Sequence, residues 1–246
     1  MTMRTGYTRY PLTNFKTTTH CIAYLDILGG KNNICTDSEH KFLNFLNMLY
    51  EDAIFESQVF ADKKDIFVKI FSDNILFAVK VDFDSDNYLK QITTLINLVA
   101  NIQNEALRYG YLIRGAIVQD EFFYNNILVY GKAIVRAVEM EENEAKYPRV
   151  IVQEELAQLL PQYFFQDKDC KIVLNHLLLS QSEEYISFKL QLLKMLKNHG
   201  QEEKIKNKIM WVIDYFNSWY GSPSSGSLEN PQITEDEIQE ALNGYV

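Results

Sequence analysis

Two aspartates carry the chemistry that can be read from this sequence: Asp26, within the apolar run HCIAYLDILGG at residues 20–30, and Asp73, within FVKIFSDNILFAV at residues 67–79. Each run has the length of a strand, and a carboxylate interrupts each. A carboxylate in an apolar run is costly to desolvate unless a cation meets it. Two of them on neighbouring strands offer a divalent cation hard oxygen ligands from two sides. Taken singly, an aspartate at a strand end reads as a turn former or a helix cap. The recurrence of one setting is what points to metal. The other reactive side chains form no such pattern: Cys21, Cys35 and Cys170 make no CxxC pair, which fits a reducing compartment and no structural zinc. The four histidines, His20, His40, His176 and His199, lack the HExxH spacing of a zinc enzyme.

The elements that must position these aspartates follow from periodicity. Over 246 residues, 47% apolar and 23% charged, the composition is ordinary globular, and the chain is long enough to bury a core. A net charge of −9 and a pI near 5.0 argue against general binding of nucleic acid or anionic membranes, so a nucleotide site here needs its own metal ions and local cations. No apolar run reaches spanning length and the first residues lack a signal peptide's apolar segment, so a soluble, cytoplasmic protein is expected.

Residues 1–18 read as an N-terminal arm and 21–28 as a strand ending at Gly29-Gly30. Helical spacing covers 38–56, with Ser38 as cap. Residues 66–71 and 74–81 read as a hairpin whose tip carries Asp73 beside the end of the first strand. A long amphipathic helix over 85–108 is stopped by Gly110, and 111–118 is the next strand. A connection at 119–126, a short strand at 127–130, a helix opening at Gly131 and a strand at 149–152 complete the pattern. A hairpin between two helical crossovers predicts an α+β fold, a ferredoxin-like βαββαβ antiparallel sheet with helices on one face. Residues 19–165 form the expected catalytic domain and 166–220 an extension with an edge strand at 170–174 and a helical hairpin around Gly200. The hairpin's apolar faces suit either a solvated accessory pair or packing on a partner subunit. Residues 221–246 read as a mobile, linker-like tail.

The segments YLDILGG (24–30), FSDNI (71–75), LIRGAI (112–117), YGKAIVRAVEMEE (130–142) and YPRVIV (147–152) give the chain its resemblance to a family. It resembles the class III nucleotide cyclases, and within them the bacterial pyrimidine (uridylate and cytidylate) cyclases of anti-phage signalling, over about residues 21–152. The resemblance implies a cyclase core in which Asp26 and Asp73 bind two Mg²⁺ or Mn²⁺ ions, assisted by the backbone carbonyl of Ile27. It implies that the turn at Leu28, Gly29 and Gly30 faces the phosphates. It further implies a homodimer with a composite active site, no nucleic-acid or membrane partner, and conversion of UTP or CTP to the 3′,5′-cyclic monophosphate. The product would be a second messenger acting on a separate effector in antiviral defence.

Departures from the family pattern sharpen what must be tested. Purine cyclases of the family carry Asn and, four residues later, Arg on the helix after the glycine; those positions here are Val135 and Glu139. A charged transition state still needs a cation. Arg114 and Arg136 are the catalytic candidates and Arg149 a substrate-binding one, although each also reads as half of an ordinary ion pair, Arg136 with Glu139 in particular. Lys69 stands where adenylate cyclases carry a purine-recognising lysine, but a pure donor serves a pyrimidine carbonyl as well. Leu128, at the second purine-selecting position, offers a base no hydrogen bond. The rival readings are a purine cyclase and a catalytically silent cyclase-fold module that binds a nucleotide or a partner. A polymerase-like palm is a remote third, opposed by the lack of a basic template-binding surface.

Overall fold

The computed structural model describes residues 15–60, 66–180, 184–221 and 232–244, the side chains of 53–60 excepted. The elements of the first part are β1 (Thr18–Ile27), α1 (Gly30–Thr36), α2 (Lys41–Phe60), β2 (Ile66–Phe71), β3 (Asn74–Lys80), α3 (Tyr88–Tyr109), β4 (Ile113–Tyr124), β5 (Val129–Tyr130), α4 (Lys132–Glu144) and β6 (Val150–Val152). Then come α5 (Glu154–Leu159), β7 (Phe164–Gln166), β8 (Ile172–Leu174), α6 (Tyr185–His199), α7 (Glu203–Tyr220) and α8 (Glu235–Leu242).

β1 lies at the centre, antiparallel to β3 on one side and to β4 on the other, while β2 pairs antiparallel with β3. The order β2-β3-β1-β4 interlocks two helical crossovers, which is the ferredoxin-like arrangement predicted from element order. β6 adds in parallel to β4, followed by β8 and β7. β8, expected at the edge, is paired on both sides; β7 is the edge strand. β4 runs on through residues expected to form a connection, because Thr18 and Thr19 of β1 still pair with Phe122 and Glu121.

Helices cover both faces of the sheet, not one. Cys21, Ala23, Leu25 and Ile27 of β1 point into the larger core with Phe42, Phe45 and Leu49 of α2 and Ile92, Leu95 and Val99 of α3. Ile22 points the other way, joining Leu76, Ala78, Ala116, Val118 and Phe122 beneath Ala133 and Ala137 of α4. Period-two alternation with both sets apolar requires cover on both sides. The cap of α2 is Asp37 rather than Ser38: its carboxylate accepts from the amides of Phe42 and Leu43 at 3.1 and 2.9 Å.

The C-terminal helices belong to the same molecule's packing. Phe188, Leu192 and Leu196 of α6 and Ile209, Val212 and Phe216 of α7 form a second core with Leu107, Leu112 and Leu177. Their apolar faces are thus buried within the chain, where a solvated pair or a partner subunit was expected. Residues 235–242, in the stretch expected to be a mobile tail, form α8, closed by a capping box between Thr234 and Glu237 and packed through Ile238 and Ala241 on this core.

His176 ties the two cores together. Its ring Nδ1 lies 2.7 Å from Asn104 Oδ1 of α3, whose amide nitrogen donates to the His176 carbonyl at 3.1 Å. Burial lowers its pKa from 6.5 to about 3. The unfolded chain therefore binds a proton that the folded one refuses between those values, and stability falls as pH drops through that window, by about 1.4 kcal/mol per unit. His176→Gln is expected to flatten this acid limb in urea denaturation measured from pH 7 downward, relative to the unsubstituted chain.

Candidate active site

Asp26 is the penultimate residue of the central strand, and the register sets Asn74 of β3 and Arg114 of β4 directly opposite it. Phe71, Asn74, Asp26 and Arg114 thus form one row across four strands, on the face that carries α4. Asp73 occupies the two-residue turn between β2 and β3, where Ser72 takes a positive φ of 62°. Its carbonyl accepts from the amide of Ile27 at 3.0 Å, so the two aspartates are stitched together through the main chain.

The turn after β1 is shaped to admit Asp73. Gly29 adopts a left-handed φ of 78°. A Cβ on Gly30 would fall 2.1 Å from Cβ and 2.6 Å from Oδ2 of Asp73. The missing side chain is therefore the space that the Asp73 carboxylate fills. Asn74 donates to Asp73 Oδ1 at 3.3 Å and accepts from the Tyr24 hydroxyl at 2.6 Å. Burial, with the charges of Glu141, Asp26, Glu142 and Asp73, pushes the Tyr24 phenol up to about 12, which keeps it a donor.

Arg114 closes the other side. Its Nε donates to Asp26 Oδ2 at 2.9 Å and lies 2.7 Å from Oε1 of Glu141. That nitrogen carries a single hydrogen, which Asp26 takes; the Glu141 contact is an ion pair without a directed bond, and Oε1 is left without a donor among the described residues. Glu141 continues the Ala133–Ala137 stripe of α4 by one more turn, and its side chain is 4% exposed. Burial raises its pKa, Arg114 opposes the rise, and Asp26 and Glu142 add to it.

The sequence-predicted residues divide clearly. Asp26, Asp73, Arg114 and the turn at Leu28, Gly29 and Gly30 come together at one end of the sheet. Ile27 contributes main chain there, its side chain being 1% exposed in the larger core. Lys69 faces the same side of the sheet, in the row Lys69–Leu76–Tyr24–Ala116 next to that of Asp26. Arg136 is not brought to this end: it is exposed on α4, and its charge acts on Glu155 of α5. Val135 and Glu139 are exposed as well. The Arg149 side chain is turned elsewhere and fully buried, paired with Asp167 and Asp169, and donates to the Glu144 carbonyl at 3.1 Å. Breaking a buried pair of this kind costs about 3–5 kcal/mol, so its place here is in holding β6 to the β7–β8 turn. Tyr24, Asn74 and Glu141 were missed from sequence; the signal for Glu141 was an acid on the apolar stripe of α4.

Among the described residues no group of three or more His, Cys, Asp or Glu is arranged around a common metal position. The donor set nevertheless fits a hard cation in type. Asp26 Oδ1 and Asp73 Oδ2 have no hydrogen-bond donor among the described residues, and the side-chain-free Gly30 leaves the Asp73 carboxylate its place.

No protein-family model matches the sequence, and no curated protein matches it. Among solved structures the chain is similar to an adenylyl cyclase of P. aeruginosa, with 13% identity over 65% of this chain and 94% of that one and a TM-score of 0.49. It is similar to the guanylyl cyclase domain of the RhoGC fusion protein from the aquatic fungus Blastocladiella emersonii, with 13% identity over 65% and 96% and a TM-score of 0.47. The guanylate cyclase domain from Catenaria anguillulae, solved in complex with GTP, gives 12% identity over 65% and 95% and a TM-score of 0.47. These likenesses concern the course of the backbone.

Gly30→Ala is expected to displace Asp73 and weaken Mn²⁺ binding by about 10- to 100-fold, the range for altering a ligand's support. Calorimetric titration of both proteins with Mn²⁺ checks this, with circular dichroism confirming that the variant stays folded.

Proposed function

We propose that this chain is a metal-dependent nucleoside triphosphate cyclase, forming a 3′,5′-cyclic monophosphate and pyrophosphate. The observation that carries the reading is the meeting of Asp26 and Asp73, from separate strands, at one end of the sheet beside Arg114. The segments around both aspartates are also those on which the sequence resembles class III cyclases.

Bound at Asp26 and Asp73 with the Ile27 carbonyl, two Mg²⁺ or Mn²⁺ ions would acidify the ribose 3′-hydroxyl and neutralise phosphate charge. The protein's share is positioning. Arg114 anchors Asp26 through Oδ2, which leaves Oδ1 directed to ligand. Tyr24, kept neutral, fixes Asn74, which in turn holds Asp73. The main chain of Leu28, Gly29 and Gly30 faces the phosphates. The 3′-oxygen attacks the α-phosphorus in line and pyrophosphate departs, so no protein nucleophile is required. Cys21 and His176, both buried in the cores, take no part.

The substrate we favour is a pyrimidine triphosphate, UTP or CTP, on the strength of the YGKAIVRA and YPR segments, with the cyclic product a messenger for a separate effector in antiviral defence. A purine substrate is the second reading, favoured by Lys69 on the same sheet face as Tyr24 and Asp26. The active assembly we infer is a homodimer, in which a second subunit completes the site over this face.

Purified protein incubated with Mn²⁺ or Mg²⁺ and each of the four triphosphates is expected to give cyclic UMP or cyclic CMP. Asp26→Ala and Asp73→Ala are each expected to lower turnover by at least about 10²-fold, as loss of a group that stabilises transition-state charge does. Cyclic AMP or cyclic GMP instead would establish the purine reading. No cyclic product from any of the four, with nucleotide binding unchanged in both variants, would end the enzyme reading in favour of a silent module.

A further inference from the structure

The second core brings α7 to the acidic end of the sheet. Leu112, two before Arg114, belongs to the second core, to which α7 contributes Ile209, Val212 and Phe216, and Leu28, the residue after Ile27, packs against that core. The amide of Leu28 also donates to the Leu112 carbonyl at 2.8 Å. Val212 of α7 lines a small cavity together with Leu112, Ile113 and Pro148. One turn earlier on the same helix face stands Lys208. The residue is half-buried; burial and then the charge of Arg114 lower its pKa, and the charge of Asp26 opposes them. Lys208 makes no hydrogen bond or ion pair among the described residues, whereas Lys168 and Lys189 do.

The charges at this end leave Lys208 a task. Asp26 and Glu141 both engage the Arg114 guanidinium, and Asp73 adds a third carboxylate nearby. Arg114 is therefore committed to orienting carboxylates. A polyphosphate arriving here needs a cation that is not already paired. An ammonium on a flexible stem, with three donors and no planar geometry to satisfy, suits a phosphate as a point charge.

We propose that Lys208, supplied by α7 of the same chain, is the phosphate-binding cation of this site, contacting the polyphosphate of the substrate and the pyrophosphate product. This rests on reading the Asp26–Asp73 end as a triphosphate site. It makes the C-terminal helices part of the site.

The test compares the full-length protein with Lys208→Gln, Lys208→Met, Lys208→Arg and Lys204→Gln, the last at an exposed position of the same helix. Binding of inorganic pyrophosphate and tripolyphosphate is titrated calorimetrically with Ca²⁺ present, and KM and kcat are measured for the best triphosphate. Lys208→Gln and Lys208→Met are expected to weaken both anions about tenfold, the loss of one charged hydrogen bond, and to raise KM more than they lower kcat. Lys208→Arg is expected to restore most of the affinity, and Lys204→Gln to leave it unchanged. Unaltered anion binding in the folded Gln and Met variants would overturn the proposal, as would a rise in their activity, which would make Lys208 a blocking cation. Weakened anion binding in a protein that cyclises none of the four triphosphates would uphold Lys208 while removing the cyclase reading. Absence of anion binding to the unsubstituted protein would overturn the Lys208 proposal, while the cyclase reading is decided by the four-triphosphate assay alone.

Discussion

The structure depends on how a charge is kept at the end of an otherwise apolar central strand. β1 is flanked by strands on both edges and covered by helices on both faces, so Asp26 has little water available to it; its side chain is 18% exposed. Arg114, directly opposite on β4, answers that charge, and Glu141 holds the guanidinium from above. Removing the arginine would leave a buried and a largely buried carboxylate without their shared cation, a far greater penalty than leaving one surface pair unmade. The arrangement is thus held by mutual need: the arginine orients the aspartate, and the carboxylates immobilise the arginine.

The second aspartate is held by different means. Asp73 sits on a turn, and turns are adjustable, so its place must be imposed by surroundings. The Ile27 amide, the Asn74 side chain and the bare Cα of Gly30 impose it together. Small residues recur where elements must approach: Ala133 and Ala137 let α4 lie close to the sheet, which is what carries Glu141 to Arg114. Packing in one element therefore sets the electrostatics of another.

Much of this was legible in the sequence because it was local. The hairpin at Ser72–Asp73 and the run that Asp26 interrupts announce themselves by apolar spacing, and their order implies the sheet. Cover on both faces was also signalled, since Ile22 and Ala23 are both apolar where a one-sided strand would alternate, but the signal was read as one-sided. What stayed hidden was pairing across distance. Arg149 read equally as a substrate-binding cation and as half of an ion pair because its acceptors, Asp167 and Asp169, lie beyond an intervening helix and strand. Glu141 was one acid in the acidic run EMEENE, and only the packing of α4 distinguishes it from its solvated neighbours. The Thr234–Glu237 capping box of α8 stood in plain view within a stretch whose composition suggested mobility. The role of α6 and α7 could not be read from their own periodicity, because an apolar face does not name what covers it.

The central claim is that Asp26 and Asp73 grip the same metal ions. Titration of free Mn²⁺, followed by its electron paramagnetic resonance signal, tests it in a double-mutant cycle of Asp26→Asn, Asp73→Asn and the pair. A shared site predicts that either change alone abolishes most of the high-affinity binding and that the second adds little, a coupling well above the additivity limit of about 0.5 kcal/mol. Strictly additive losses, or Mn²⁺ binding that survives both changes, would contradict it.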